Sequence, residues 1–182
     1  MLKLSDNPPM RPESFVSIGE MQGTWWVAHT KSRAEKSFAW DLLHTGVGYF
    51  LPMIEKQAIS GGRKRTTLLP LFPSYVFFCG DEGDRYKALM THRICQVIPA
   101  VDQRGLAKEL AAVEMALCSG AVLSLYSFVA KGRRCRVTRG ALAGMEGRIE
   151  ECGNITRLVL AVSMLGQGAS LEIDAAMLEP LD

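Results

Sequence analysis

The spacing of apolar and polar residues changes several times along the chain. Thr24-Trp25-Trp26-Val27-Ala28-His29-Thr30 is aromatic and β-branched, which predicts a strand. From Lys31 to His44 the apolar residues Ala34, Phe38, Leu42 and Ala39, Leu43 recur at helical spacing. Ser32 followed by Glu35 resembles a capping box, and Gly46 and Gly48 mark the stop. Tyr49 to Ile54 predicts a second strand, irregular or at an edge because it contains Pro52. Ile59 to Thr67 is polar, built on Gly61-Gly62 and the consecutive cations Arg63, Lys64 and Arg65, and predicts a hairpin turn. Leu68 to Phe78 is apolar, with two prolines in its first half and the strand Tyr75-Val76-Phe77-Phe78 in its second. Asp84 to Met90 predicts a short helix, Gln96 to Pro99 a strand, and Ala107 to Cys118 a helix carrying Leu110, Val113 and Leu117.

That order predicts an α+β fold: an antiparallel sheet with helices packed on it, over residues 24–118. Residues 119–130 lack a period and predict a linker. After them the texture changes. Cys135 to Thr138, Gly147 to Glu150, Leu158 to Val162 and Ser170 to Ile173 are short strands punctuated by glycines, which predicts a small all-β barrel over residues 131–182. Residues 1–23 are polar and contain Asn7-Pro8-Pro9 and Arg11-Pro12, the composition of a disordered tail.

Composition narrows the function classes. With 48% hydrophobic and 22% charged residues, most of the 182-residue chain is expected to fold. The net charge of +2 is too small for bulk attraction to nucleic acid, so local cation clusters must carry any such contact. The five cysteines contain no C-x-x-C pair, and their spacing fits neither a zinc site nor a disulfide framework. They are expected as reduced thiols. No catalytic, metal or cofactor motif stands out: there is no G-x-G-x-x-G and no P-loop. The chain has no run of 18 apolar residues and no apolar leader, so a cytoplasmic, membrane-free protein is expected.

Two motifs point to a family. Gly132-Arg133-Arg134-Cys135-Arg136-Val137-Thr138-Arg139-Gly140, continuing through Gly144 and Gly147, resembles a KOW motif: a basic strand, a glycine turn, then a glycine before the next strand. Trp25-Trp26-Val27, a helix, a basic turn and then Leu71-Phe72-Pro73-Ser74-Tyr75-Val76-Phe77 resembles the N-terminal domain of the NusG family of transcription elongation factors. The stretch from Gly62 to Tyr75 is closest to the specialised, RfaH-like branch of that family. The resemblance implies a monomeric, non-catalytic transcription elongation and antitermination factor. Its N-terminal domain would bind the clamp helices of RNA polymerase and suppress pausing. Its KOW domain would bind termination factor Rho or a small-subunit ribosomal protein. KOW domains also occur in ribosome-associated RNA-binding proteins, which is the alternative. Residues 131–182 carry seven Lys/Arg and seven Asp/Glu, and this neutrality favours a protein partner.

The resemblance also implies site residues. Phe72, Tyr75 and Phe77, flanked by Leu71 and Pro73, match the polymerase-binding aromatic segment. Strand alternation sets Tyr75 and Phe77 on one face and assigns Val76 and Phe78 to the core. Lys31 and Arg93 lie where the RfaH-like branch contacts non-template DNA, but Ser32, Ser37 and Asp41 depart from a cationic patch there. Arg63, Lys64 and Arg65 are either contacts to upstream or non-template DNA phosphates or a solvated hairpin tip. A His/Thr run of the RfaH-like branch is absent where this chain has Arg85-Tyr86-Lys87-Ala88. His29 and His92 read as packing or surface histidines.

Overall fold

The structure is a computed structural model that describes residues 6–60, 63–126, 132–152 and 155–181. The chain folds into two compact units, Met1–Gln103 and Arg104–Asp182. The division falls ahead of the last helix of the expected first domain. Among the described residues no helix is long and apolar enough to cross a membrane.

The first unit is built on a four-stranded sheet. Strands β1 (Thr24–Thr30), β2 (Gly48–Phe50), β5 (Tyr75–Gly80) and β6 (Ile94–Pro99) pair antiparallel in the order β2-β5-β1-β6. The expected second strand is split. Leu51-Pro52 separates β2 from β3 (Met53–Ser60), because Pro52 has no N–H for a ladder. β3 pairs with β4 (Arg63–Pro70) as a separate two-stranded hairpin in which Ser60 faces Arg63. Residues 63–67 are therefore strand, not turn.

Helices α1 (Glu35–His44) and α2 (Glu82–Met90) connect these strands. The core cluster holds Phe38, Ala39 and Leu42 of α1, Ala88 of α2, and Trp26, Ala28, Tyr49, Val76 and Phe78 of the sheet. Trp26 stacks on Phe78 with centroids 5.3 Å apart, and Phe38 meets Phe78 edge-on at 6.2 Å.

The expected capping box at Ser32 does not form. The residue before α1 is Ala34, with no side-chain cap, because Glu35 is turned elsewhere. α2 has the box instead: Asp81 accepts from the Asp84 amide at 2.9 Å and Asp84 accepts from the Asp81 amide at 3.2 Å.

Residues 6–23, expected as a tail, are packed. Pro8, Pro12, Ile18 and Met21 are buried. The Leu51 amide donates to Met10 O at 2.8 Å and the Tyr49 hydroxyl to Pro9 O at 2.9 Å. The segment thus covers the outer side of β2, the usual remedy for an open sheet edge. All of these contacts are long-range, so local composition carries no trace of them. Burial pushes the Tyr49 phenol well above its usual range. It also raises the Cys79 thiol to about 11, helped by the nearby Asp84 carboxylate. Cys95 and Cys118 are exposed, whereas Cys79 and Cys135 are buried. Iodoacetamide at pH 8, followed by peptide mapping, is expected to label the exposed pair and spare the buried pair until the protein unfolds.

The second unit opens with α3 (Gln103–Cys118), whose Leu106, Leu110, Val113 and Ala116 are buried. Six antiparallel strands follow: β7 (Ser124–Tyr126), β8 (Arg134–Val137), β9 (Glu146–Cys152), β10 (Ile155–Val162), β11 (Gln167–Glu172) and β12 (Leu178–Pro180), in the order β12-β8-β9-β10-β11-β7. Part of the expected linker is thus a strand, with Ser124 to Tyr126 paired to β11. Residues 127–131 lie outside the described residues. Cys135, Val137, Met145, Leu158, Leu160, Val162, Ala169 and Leu171 are buried. The glycines act in two ways. Gly140 and Gly144, at φ 86° and 85°, form the left-handed turn between β8 and β9. Gly147 is in β9, where a Cβ would fall 2.7 Å from Leu158 Cδ1, so its role is close approach rather than a turn.

Candidate functional site

Four residues, Leu71 to Ser74, carry the chain from β4 into β5. Leu71 is held by its amide, which donates to Pro52 O at 2.8 Å. Ser74 has φ 66°, a left-handed conformation that costs a non-glycine residue about 1–2 kcal/mol. Three bonds hold it there. Its amide donates to the Glu35 carboxylate at 2.7 Å, its carbonyl accepts from the Thr30 amide at 2.8 Å, and the Tyr75 amide closes on Phe72 O at 3.1 Å. Glu35 itself is only 8% exposed. A buried carboxylate accepting a backbone N–H is among the stronger hydrogen bonds in a protein.

This turn ends a row of aromatic rings. Phe50 lies 6.4 Å from Phe77, and Phe72 meets Phe77 edge-on at 5.9 Å. Tyr75 sits directly opposite His29 in the β1–β5 register, with ring centroids 5.2 Å apart. Burial falls along the row: Leu71, Phe72 and Phe77 are fully buried, Tyr75 and His29 are half-buried, and Pro73 is exposed. Alternation correctly sends Val76 and Phe78 to the core cluster. The reading of the opposite face as exposed does not hold for Phe77, because Trp25, Val27, Phe50 and Phe77 on that face are buried too. Sequence reasoning also missed His29 as a member of the site. Its signal was the antiparallel register, which sets it against Tyr75.

Beyond His29 the chain becomes cationic. The Lys31 amide donates to Arg93 O at 2.8 Å, joining the loop after β1 to the loop before β6. Lys31, Arg33 and His92 are exposed, and Arg33 and His92 take left-handed φ values of 60° and 57°. Arg93 is already paired with Asp41 of α1, so its charge is partly spent within the fold. Lys64 is exposed on β4, away in sequence and in a different sheet. The side chains of Arg63 and Arg65 lie outside the described residues. Lys31 and Arg93 are thus brought together, with His92 exposed beside them as a surface histidine and Arg33 as an unforeseen neighbour. Among the described residues, no three His, Cys, Asp or Glu side chains converge as metal ligands.

Residues 23–116 match the NusG family model, described as transcription termination factor nusG. The match begins at β1, contains the whole aromatic row, and ends inside α3. None of the curated proteins matches the chain. The family match spans more than half of the 182 residues, and the chain belongs to the NusG family of transcription factors.

Proposed function

We propose that this protein is a specialised, RfaH-like elongation and antitermination factor that binds the clamp helices of RNA polymerase through the turn between β4 and β5. The observation that carries the reading is the Glu35 strut. A buried carboxylate spends a strong hydrogen bond on one left-handed serine, and the result is a fixed turn that presents Pro73 and Tyr75. Strain held by surrounding structure is characteristic of binding sites. Tyr75, Pro73 and His29 make the contact, while Leu71, Phe72 and Phe77 support them from beneath. A half-buried tyrosine backed by packed rings is a typical hot-spot composition. Clamp binding in turn suppresses pausing. Lys31 and Arg33 face the phosphates of nearby DNA, with Lys64 as a second contact. The C-terminal unit serves as a KOW domain that recruits Rho or a small-subunit ribosomal protein.

Single-round transcription on a template with a strong pause tests this. The wild-type protein is expected to shorten the pause, and Tyr75→Ala to lose most of that effect while remaining folded. A folded Tyr75→Ala protein with full activity would remove the turn from the mechanism.

A further inference from the structure

The hairpin of β3 and β4 stands apart from the four-stranded sheet, with which it shares no ladder. Its pairs run from Met53↔Pro70 at the base to Ser60↔Arg63 at the far end. At about 3.4 Å per residue, that is a lever about 24 Å long. A swing of about 10° at the base therefore moves the far end by about 4 Å. A cation-to-phosphate hydrogen bond of about 2.8 Å does not survive such a shift. Placing Lys64 against a phosphate thus requires that the angle of the hairpin be fixed.

One side of the hairpin is fastened. An antiparallel pair turns alternate carbonyls outward, and a two-stranded sheet leaves those of β4 without a further strand to receive. Leu68 O, close to the base, accepts instead from the Lys36 ammonium of α1 at 2.5 Å. The same ammonium donates to Asn7 Oδ1 at 2.5 Å. One turn along α1, Trp40 Nε1 donates to Asp6 O at 3.4 Å. Residues four apart share a helix face, so the Lys36–Trp40 face is where Asp6 and Asn7 lie. Farther on, the segment is held by the core: Pro9 O accepts from the Tyr49 hydroxyl at 2.9 Å and Met10 O from the Leu51 amide at 2.8 Å. Tyr49 and Leu51 are both fully buried. A lysine side chain loses much rotamer freedom when it is ordered. Asn7, anchored through Pro9 and Met10, holds the Lys36 Nζ where it reaches Leu68. Burial draws the Lys36 ammonium below its usual range, against the raising effect of Glu35, so this place does not by itself favour the charge.

We propose that Lys36 is a positioning residue for the β3–β4 hairpin, and that residues 6–10 are the brace that fixes it. Contacts run unbroken from β2, through the segment and the ammonium, to Leu68 O on the hairpin. What the brace is for rests on the reading of Lys64 as a DNA contact. That the brace holds the hairpin does not.

Spin labels on the exposed Cys95 and on Gln57→Cys of β3 report the distance from sheet to hairpin by pulsed electron spin resonance. Both positions lie in the first unit. The parent is the full chain with Cys118→Ser and Cys152→Ser, in which Cys79 and Cys135 are buried. It is expected to give one narrow distance distribution. Lys36→Met keeps the apolar stem but has no donor, and is expected to broaden the distribution by about 2 Å, half the excursion of the far end. Asn7→Ala is expected to broaden it as well, whereas Lys36→Arg keeps donors and should stay narrow. Equal widths for the parent and Lys36→Met overturn the proposal, and a narrow Asn7→Ala distribution overturns the part played by the segment. Melting temperatures should match the parent. A broadening that comes with a lowered melting temperature in Lys36→Arg too would show a general structural role and overturn the positioning one. Pause shortening in single-round transcription reads what the brace serves. Lys36→Met and Lys64→Gln are each expected to lose part of it, and the double variant no more than Lys64→Gln alone. Additive losses would show that Lys36 acts elsewhere than through the hairpin. Tyr75→Ala is expected to keep the narrow distribution, so failure of the polymerase reading is told apart from failure of the brace.

Discussion

Replacing Phe78 by Ala is expected to destabilise the protein by about 3–5 kcal/mol, the largest loss anticipated for a single substitution. Phe78 has no exposed surface. Its ring is stacked on Trp26 and meets Phe38 of α1 edge-on, so it joins the sheet to the helix layer. Its β-strand neighbours across the ladders are Trp26 and Tyr49, both themselves buried. Truncation opens a cavity ringed by large, rigid aromatics that cannot collapse into it. Phe78→Leu keeps more of the volume and should cost less, though its shape fits the ring-shaped gap poorly. Urea unfolding followed by tryptophan fluorescence measures this, since Trp26 reports from inside the cavity. A loss below about 1 kcal/mol would mean that the cluster is not the core of the first unit.

Glu35→Ala is expected to cost about 2–3 kcal/mol and to weaken polymerase binding in the fraction that remains folded. The alanine leaves the Ser74 amide without its acceptor. The left-handed turn then loses one of the three bonds that hold it. Glu35→Gln separates bond from charge, because its carbonyl oxygen still accepts from the Ser74 amide. Most of the stability and binding should return in that variant. Urea midpoints with wild type, Glu35→Ala and Glu35→Gln decide the matter. Equal midpoints for wild type and Glu35→Ala would show that the strut contributes nothing.

The parts of this fold that were legible in the sequence are those governed by local pattern. The strand from Thr24 to Thr30 emerged with its observed bounds because aromatic and β-branched residues run through it unbroken. The hairpin at residues 59–67 was legible from its Gly-Gly, although the cations after it belong to β4 rather than to the turn. Long-range contacts were not legible. Ile18 and Met21 look like stray apolar residues in a polar tail until the sheet that buries them is known. Ser32 and Glu35 have the spacing of a capping box, but a stronger acceptor demand, the Ser74 amide, captures the carboxylate. The short strands β7 and β12 have three residues each, too few to show a period, and are defined by their partners.

At the site the same division holds. The segment Leu71 to Phe77 stood out through its resemblance to a family, and alternation sorted Val76 and Phe78 to the core. It could not show that the other face is buried as well. That correction moves the expected contact from Phe72 and Phe77 toward Tyr75, Pro73 and His29. Likewise Arg93 looks like a free cation in the sequence, and only the fold reveals Asp41 beside it.

The most direct test of the central claim is the equilibrium affinity of the labelled full chain for purified RNA polymerase, measured for wild type and Tyr75→Ala at one salt concentration. The predicted result is tight binding by wild type and a loss of about 1–3 kcal/mol for Tyr75→Ala, roughly five- to 150-fold, with an unchanged melting temperature. Equal affinities for two equally folded proteins would contradict it.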